Sequence, residues 1–245
     1  MANDAPLALS ALEFTPRPSI GRQFVADRLV RLSDSSVDGE LRLDGAVRFL
    51  QDVGTDDWEN TGLKTGGNWV VRRTSLRLAD QGRWPRLGER VDIATWCSGT
   101  GAAWAERRTN LSVDGKVLVE GVALWVPLDG RGRPLRIPEG FLSVYGEAIQ
   151  GRRVSGRIAH NAIGEHAIRQ PWQIRRRDLD VIGHVNNAAV WDAIVEVVNA
   201  PVRAASVTHH GPIEAHDIVT LVHEPGRIWL EVESDVRVSA LVEQQ

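Results

Sequence analysis

Cysteine is nearly absent from this sequence, since Cys97 is the only one among 245 residues. No disulfide can form within the chain, and a metal cluster held by several thiolates is excluded. Long apolar runs are lacking as well, because no stretch approaches the roughly 20 residues that cross a bilayer. Residues 1–19 contain no basic segment of the kind that opens a signal peptide. We interpret them as a short tail and expect a cytoplasmic protein without a membrane partner.

An excess of charge of one sign is also missing. The formal net charge is −3, so the sequence predicts no nucleic-acid partner. The patterns G-x-G-x-x-G, G-x-x-x-x-G-K-S/T and G-x-S-x-G do not occur, which argues against dinucleotide binding, P-loop chemistry and a serine nucleophile. The histidines of the last forty residues lack the spacing to each other and to carboxylates that a zinc site needs.

The most informative stretch that is present spans residues 178–191. An acid, Asp180, and an imidazole, His184, precede two asparagines, Asn186 and Asn187, and an apolar segment with helical spacing follows. A short amide side chain is well suited to cap that helix. The pattern predicts a base, a proton donor and the positive end of a helix close together, which can activate water and stabilise an oxyanion.

The sequence also contains an internal repeat. Residues 34–58 align with residues 178–202 without a gap, and the apolar positions of the two predicted helices coincide. The first helix, with Asp44 as its predicted cap, should end before Gly62. Each helix is followed by segments that alternate between apolar and polar residues, as β-strands do. The sequence therefore predicts an α+β fold with two long helices, each wrapped by an antiparallel β-sheet.

The repeat divides the chain and separates the roles of its halves. At the positions of Asp180 and His184 the first copy has Ser36 and Glu40, so we expect the chemistry in the second copy only. A region rich in glycine, proline and arginine lies between the copies and should carry a helix near residues 139–149. The expected organisation is a tail at 1–19, a first domain at 20–130, a linker at 131–170 and a second domain at 171–245.

The string Asp-Leu-Asp-Val-x-x-His-Val-Asn-Asn at residues 178–187 resembles the catalytic segment of the acyl-ACP thioesterases, a family of the hotdog-fold superfamily. Further segments resemble that family in the same order, at residues 50–53, 69–73, 84–91, 95–96 and 125–126. The resemblance implies a tandem, or double, hotdog fold that cleaves a fatty acyl thioester to free acid and carrier thiol. It implies that acyl carrier protein is the partner and that no cofactor is needed. It does not decide whether the protein forms a homodimer.

Matched residue by residue, the family pattern implies that Asp180 activates water as a base or attacks the thioester carbonyl itself. His184 would orient water or donate a proton, and Asn187 would assist the chemistry or cap the helix. Two positions depart from the plant enzymes. Ile182 stands where they carry a catalytic asparagine. Glu214 would replace their acid only with a shift of one residue, and alternation along a strand would then turn it to the other face.

Three alternatives to acyl-ACP hydrolysis stay open at this point. A hotdog thioesterase acting on acyl-CoA would share all of the chemistry. A hotdog enoyl hydratase would place its acid and histidine at a different spacing. A non-catalytic acyl-binding protein of the same fold is favoured by Ile182, because an isoleucine cannot hold water or a carbonyl.

Two further groups of residues are candidates for substrate recognition. An apolar stripe of the first helix could set the acyl chain length or simply form core: Val47, Leu50, Val53 and Trp58. Arginine runs could dock an acidic carrier protein or bind the phosphopantetheine phosphate, or could simply be solvated: Arg72 and Arg73, Arg107 and Arg108, and Arg175, Arg176 and Arg177.

Overall fold

The computed structural model describes residue 9 and residues 15–64, 67–158, 162–198 and 200–245. The chain divides into two compact units. The first spans Glu13–Arg157, and the second comprises Ile158–Gln245 together with Met1–Leu12. Within the described ranges, no helix is long and apolar enough to cross a bilayer.

The first unit combines an antiparallel sheet with two helices. Its sheet has the strand order β1-β3-β4-β5-β2, and the first helix packs against β1 and β3. Tight turns such as Asp114-Gly115, with positive φ at both residues, join neighbouring strands. The elements in chain order are β1 (Phe24–Leu29), α1 (Leu43–Thr61), β2 (Asn68–Leu78), β3 (Arg90–Thr100), β4 (Ala105–Val113), β5 (Lys116–Leu128) and α2 (Phe141–Ile149).

The helix α1 ends where the sequence predicts but begins differently. Gly62 stops it with φ of 66°, in the left-handed region that glycine tolerates. The N-cap is Arg42 and not Asp44, because a hydrogen bond from the Arg42 N–H to the Asp34 carbonyl (2.8 Å) holds Arg42 in an extended conformation. Asp44 instead lies in the first turn, nearly fully buried, and forms ion pairs with Arg42 and Arg48.

The region expected to be a linker begins with structure that belongs to the first unit. The helix α2 lies within two residues of the predicted range 139–149. Its residues Phe141, Tyr145 and Ile149 are buried in one core cluster with Cys97 and Ala105 of the sheet. Residues 131–157 are therefore part of the first compact unit rather than a free connection.

The second unit repeats this plan with shorter elements. Its strands form an antiparallel sheet in the order β7-β10-β9-β8-β6. Trp191, Ile194, Trp229 and Leu230 are almost completely buried in its core. The elements in chain order are β6 (Ile168–Trp172), α3 (Asp192–Val197), β7 (Val202–His209), β8 (Val219–Glu224), β9 (Arg227–Val232) and β10 (Asp235–Gln244).

The second helix is short, so the expectation of two long helices is not confirmed. The helix α3 has 6 residues after a 3₁₀ turn at Ala189–Trp191, whereas α1 has 19. Val198 already has an extended backbone, with φ of −102° and ψ of 108°. The run of β-branched residues has low helix propensity, and Pro201 follows closely and cannot donate a helical hydrogen bond.

Candidate active site

The loop that contains Asp180 and His184 closes on itself. The Asp180 N–H donates to the His184 carbonyl at 2.8 Å, and the Gly183 N–H donates to the Asp180 carbonyl at 3.1 Å. Gly183 has φ of 87°, a conformation that a side chain would disfavour. At the tip of the loop Val181 is fully exposed and Ile182 is 65% exposed. The position that departs from the plant enzymes therefore carries its side chain towards solvent.

One carboxylate oxygen of Asp180 holds this loop together. Oδ1 accepts the N–H of Ile182 at 3.0 Å and the N–H of His184 at 3.1 Å. No residue that the structure describes donates a hydrogen bond to Oδ2. The side chain is half-buried, so this second oxygen can interact with water or with a bound substrate.

The first unit contains the same loop without the carboxylate. The Ser36 N–H donates to the Glu40 carbonyl at 2.7 Å, and Gly39 has φ of 76°. The Ser36 hydroxyl oxygen accepts the N–H of Asp38 and the N–H of Glu40, both at 3.3 Å. This pattern confirms the internal repeat. A single neutral oxygen is sufficient to close the loop, so the loop itself does not require the negative charge of Asp180.

His184 lies against Glu214, whose carboxylate comes from a different part of the chain. Nε2 of His184 lies 3.1 Å from Oε1 of Glu214, and the two side chains are 34% and 42% exposed. The backbones of the two residues form an isolated antiparallel bridge, so the residues lie directly opposite each other. Asp217 positions Glu214 by accepting its N–H at 2.7 Å.

The sequence suggested that alternation along a strand would turn Glu214 to the other face, but Glu214 does not lie within a continuous strand. Residue 214 precedes a turn, and the strand β8 begins only at Val219. The side chain direction is therefore set by the bridge to His184 and not by the alternation of a continuous strand.

The two asparagines have different environments, and neither is a helix N-cap. The Asn186 side chain accepts the Ala188 N–H at 2.8 Å, and the Asn186 N–H donates to the Asp178 carbonyl at 2.7 Å. The N-cap of the following 3₁₀ turn is Ala188. The half-buried Asn187 side chain makes no hydrogen bond within the described residues. The sequence predicted a long helix directly after the loop, but the helix α3 starts only at Asp192.

The first unit contains a cavity of about 140 Å³ that its sheet and both of its helices line. Four of its ten lining residues are aromatic, and two are charged. Of the four α1 residues expected to control chain length, Trp58 lines this cavity, whereas Val47, Leu50 and Val53 are buried core residues. The lining residues are Gly54, Thr55, Trp58, Trp69, Cys97, Ala105, Glu106, Arg107, Trp125 and Phe141.

A buried polar cluster lies beside this cavity. Asp57 of α1 is 1% exposed and pairs with Arg107 at 2.7 Å and with Arg22 at 2.7 Å. The Tyr145 hydroxyl donates to Oδ2 of Asp57 at 2.9 Å. Burial raises the pKa of Tyr145 to about 12, so the phenol is neutral. Burial opposes the charge of Arg107, but Asp57 outweighs it and keeps the pKa of Arg107 above its usual value.

The sequence analysis did not identify this cluster, although one signal was present. Asp57 continues the buried stripe of α1 at helical spacing from Leu50, Val53 and Gly54. A carboxylate in such a stripe indicates a buried partner, because an unpaired charge is rarely tolerated in a core. The identity of that partner cannot be read from the spacing.

The arginines expected to dock a carrier protein fall into two groups. Arg107 is held by Asp57, and Arg108 is buried against Glu106 at 3.0 Å, so neither belongs to a free basic surface. Arg175 is also engaged, with Asp178 and Asp192. The exposed members include Arg176 and Arg177, and Arg177 has 74% of its side chain accessible.

Comparison with known families identifies the class of protein. Residues 21–145 match the acyl-ACP thioesterase N-terminal domain, and residues 162–239 match the acyl-ACP thioesterase C-terminal domain. This chain belongs to the acyl-ACP thioesterase family, which confirms the resemblance seen in its motifs. Membership supports a hydrolase that cleaves thioesters.

Individual proteins are similar to this chain over nearly its whole length. An uncharacterized protein of Mycobacterium tuberculosis is 26% identical over 244 residues, which cover 94% of this chain and 96% of the relative. The 12:0-ACP thioesterase from Umbellularia californica is 19% identical with a TM-score of 0.75, covering 91% of this chain and 94% of that one. An acyl-ACP thioesterase from Bacteroides thetaiotaomicron is 13% identical with a TM-score of 0.76, covering 91% and 98%. The structural likenesses show the hotdog fold.

Proposed function

We propose that this protein hydrolyses fatty acyl-ACP to free fatty acid and holo-ACP, with water activated by Asp180 near His184. The observation that carries the residue assignment is the comparison of the two loops. Ser36 closes its loop with one neutral oxygen, whereas Asp180 closes the equivalent loop and keeps a second, charged oxygen. A carboxylate oxygen without a competing donor is well suited to accept a proton from water.

Hydrolysis replaces the carbon–sulfur bond of the thioester with a carbon–oxygen bond. In the base mechanism Asp180 takes a proton from water while the water oxygen bonds to the acyl carbon. The electron pair of the carbon–sulfur bond leaves with sulfur, and the proton from Asp180 ends on the carrier thiolate. In the alternative mechanism Asp180 attacks the acyl carbon itself and the carrier leaves as a thiolate. Water then cleaves the mixed anhydride, which restores the Asp180 carboxylate, and the proton released from that water ends on the thiolate.

In this proposal His184, which lies beside Glu214, orients the water or passes the proton from Asp180 on to the carrier thiolate. Nε2 of His184 faces the Glu214 carboxylate, which leaves Nδ1 to orient water or, in the protonated ring, to donate a proton. Glu214 therefore acts as a positioning residue for the imidazole. Asn187, whose amide has no hydrogen bond within the described residues, is a further candidate to bind the substrate.

We assign different roles to the two halves of the chain. The first domain, expected at residues 20–130, would provide the acyl-binding pocket, because its cavity is lined mainly by apolar and aromatic side chains. The second domain, expected at residues 171–245, would provide the catalytic residues, because it alone has an acid at the position of Asp180.

The proposed reaction is tested with a panel of acyl-ACP and acyl-CoA substrates of increasing chain length, assayed for released thiol. We expect the highest kcat/KM for acyl-ACP. A clear preference for acyl-CoA would identify coenzyme A as the carrier and leave the proposed reaction chemistry unchanged. Binding of acyl groups without thiol release would instead identify a non-catalytic acyl-binding protein and would contradict the proposal.

Replacing Glu214 by glutamine is expected to lower kcat on the order of 10-fold, less than the loss of the acid–base group itself. The amide keeps the size of the side chain but removes the charge that orients His184. In this proposal Glu214 acts through His184 and not on the substrate, so KM and the melting temperature should change little. The exposed Glu196 of α3 provides the control Glu196→Gln, with wild-type kinetics expected. An unchanged kcat in Glu214→Gln would remove this residue from the mechanism.

Charge reversal at Arg176 and Arg177 tests the carrier partner. If these exposed arginines attract an acidic carrier protein, Arg176→Glu with Arg177→Glu should raise KM for acyl-ACP several-fold and reduce the salt sensitivity of the rate. Acyl-CoA hydrolysis should be affected less. Arg203, an exposed arginine of β7, provides the control Arg203→Glu. Equal losses on both carriers, or none, would identify the arginines as solvated surface residues.

A further inference from the structure

The cavity of the first unit is bordered by a glycine in the interior of a long helix. Gly54 belongs to α1 and lines the cavity together with Thr55 and Trp58 of the same helix. Apart from proline, glycine is the least favourable residue for a helix interior, because it loses the most backbone freedom when the helix forms. A glycine at this position therefore requires an explanation.

Neither of the usual structural reasons for a glycine applies to Gly54. Its backbone is helical, in contrast to Gly62, whose left-handed φ ends the same helix. A Cβ atom at residue 54 would meet Cδ and Nε of Arg107 at 3.5 and 3.8 Å, which are ordinary contact distances. At Gly121 of β5, by comparison, a Cβ atom would come within 2.5 Å of Leu50. Close packing thus requires glycine at residue 121 but not at residue 54.

A methyl group at residue 54 would instead occupy space that belongs to the cavity. Outside α1, Arg107 is the only described residue with atoms within 4 Å of that Cβ position, and Arg107 itself lines the cavity. Gly54 is buried, as are the lining residues Cys97, Ala105 and Phe141. The missing side chain of Gly54 therefore keeps space free in the enclosed part of the cavity.

The size and the walls of the cavity fit the end of a hydrocarbon chain. Its volume is about 140 Å³, and an apolar cavity of about this size holds a molecule with about six carbon atoms, such as benzene. The rings of Trp58, Trp69 and Phe141 pack against one another, with centroids between 5.5 and 6.5 Å apart. Arg107 is held by Asp57 at 2.7 Å. Because these wall residues hold one another in place, a small loss of volume should reduce the length of chain that fits.

We propose that Gly54 sets the length of the acyl chain that this cavity accepts. The tail of the chain ends against the glycine, and the missing side chain provides room for the last carbon atom. Of the residues named from the sequence for this role, Val47, Leu50 and Val53 are core, so the next residue of the helix takes it. This inference rests on the proposed function, because it assumes that the acyl group of the thioester enters the cavity.

The first experiment measures kcat/KM of Gly54→Ala with saturated acyl-ACP substrates whose chains differ by one carbon. For the longest chain that the wild type accepts well, we expect kcat/KM to fall about 10-fold relative to the next shorter chain, because one methylene in an apolar pocket changes selectivity by that much. The melting temperature should rise by about 2–4 °C, because alanine favours the helix and meets no close atom. An unchanged chain-length profile would overturn the inference. A lower melting temperature would also overturn it, since packing would then require the glycine.

Two further variants separate the volume of the cavity from the stability of the helix. Gly146 of α2 does not line the cavity, and a Cβ atom there would lie 3.8 Å from the Leu142 side chain. Gly146→Ala should therefore raise the melting temperature without changing the chain-length profile. Cys97→Ala removes a sulfur atom from the buried wall and should shift the profile towards longer chains. A shift of the profile in Gly146→Ala, or an unchanged profile in Cys97→Ala, would contradict control by the cavity volume.

A binding measurement separates this inference from the proposed function. Calorimetry with saturated free fatty acids of increasing length gives a binding profile that does not depend on hydrolysis. A profile that shortens in Gly54→Ala, with no thiol released from any thioester, would support the inference and overturn the proposed reaction. Thioester hydrolysis with the same binding profile in the wild type and in Gly54→Ala would do the opposite. A protein that neither binds the acids nor releases thiol would overturn both.

Discussion

Replacing Asp180 by serine should lower kcat by about 10²–10⁴, the range typical for loss of a general base, while the fold remains intact. Serine is the residue at the equivalent position of the first copy, where the Ser36 hydroxyl accepts the same two backbone N–H groups. The substitution therefore keeps the contacts of Oδ1 and removes the second oxygen and the charge. It separates the structural role of Asp180 from its proposed chemical role.

The measurement is kcat for the best acyl-ACP substrate, together with the melting temperature of each variant. Asp180→Asn should give a similar loss, because an amide can still close the loop but cannot take a proton. Ser36→Ala is the matched control in the first copy: it removes a loop contact without touching the proposed chemistry, so kcat should stay close to wild type. Near wild-type turnover in Asp180→Ser would show that this aspartate is only a loop residue.

Replacing Asp57 by asparagine should cost about 3–5 kcal/mol of unfolding free energy, as expected when one partner of a buried ion pair is removed. Asp57 is 1% exposed and is the shared partner of Arg107, Arg22 and the Tyr145 hydroxyl. Without its charge, the guanidinium of Arg107 is left in the core with no carboxylate to balance it. The loss should be measured by urea denaturation, with the same probe for both proteins.

The neighbouring residue provides the control for this prediction. Asp56 pairs with Arg28 at 3.0 Å, but the two side chains are 45% and 32% exposed. Surface pairs of this kind contribute about 0–1 kcal/mol, so Asp56→Asn should change the stability little. The two variants differ in burial and not in chemistry. Similar losses of unfolding free energy in both variants would show that the contribution of Asp57 to stability does not depend on its burial.

Features encoded by neighbours along the chain could be predicted from the sequence. The match between residues 34–58 and 178–202 predicted two copies of one loop, and the hydrogen bonds of Ser36 and Asp180 confirm it. Gly62 as the end of α1 and the helix near residues 139–149 were also predicted. These features depend on local backbone conformation and hydrophobic periodicity, which a sequence displays directly.

Other features were decided by contacts between distant residues. The sequence named Glu214 as a candidate acid but gave no means of placing it opposite His184, since only the folded backbone sets that position. The second helix ends where the backbone becomes extended at Val198. Hydrophobic periodicity alone does not show where that change occurs.

By itself, the sequence determined the family, the duplicated plan and the loop that carries Asp180 and His184, because motif order and hydrophobic period lie along the chain. Only the tertiary structure decided which charges are buried together and which aromatic residues share a cavity. Asp57 meets Arg107, and Trp69 and Trp125 line one cavity, because both helices and the sheet of the first unit converge there. The physical reason is that the stability and selectivity of such groups depend on burial and on partners far away in sequence, which composition and spacing do not specify.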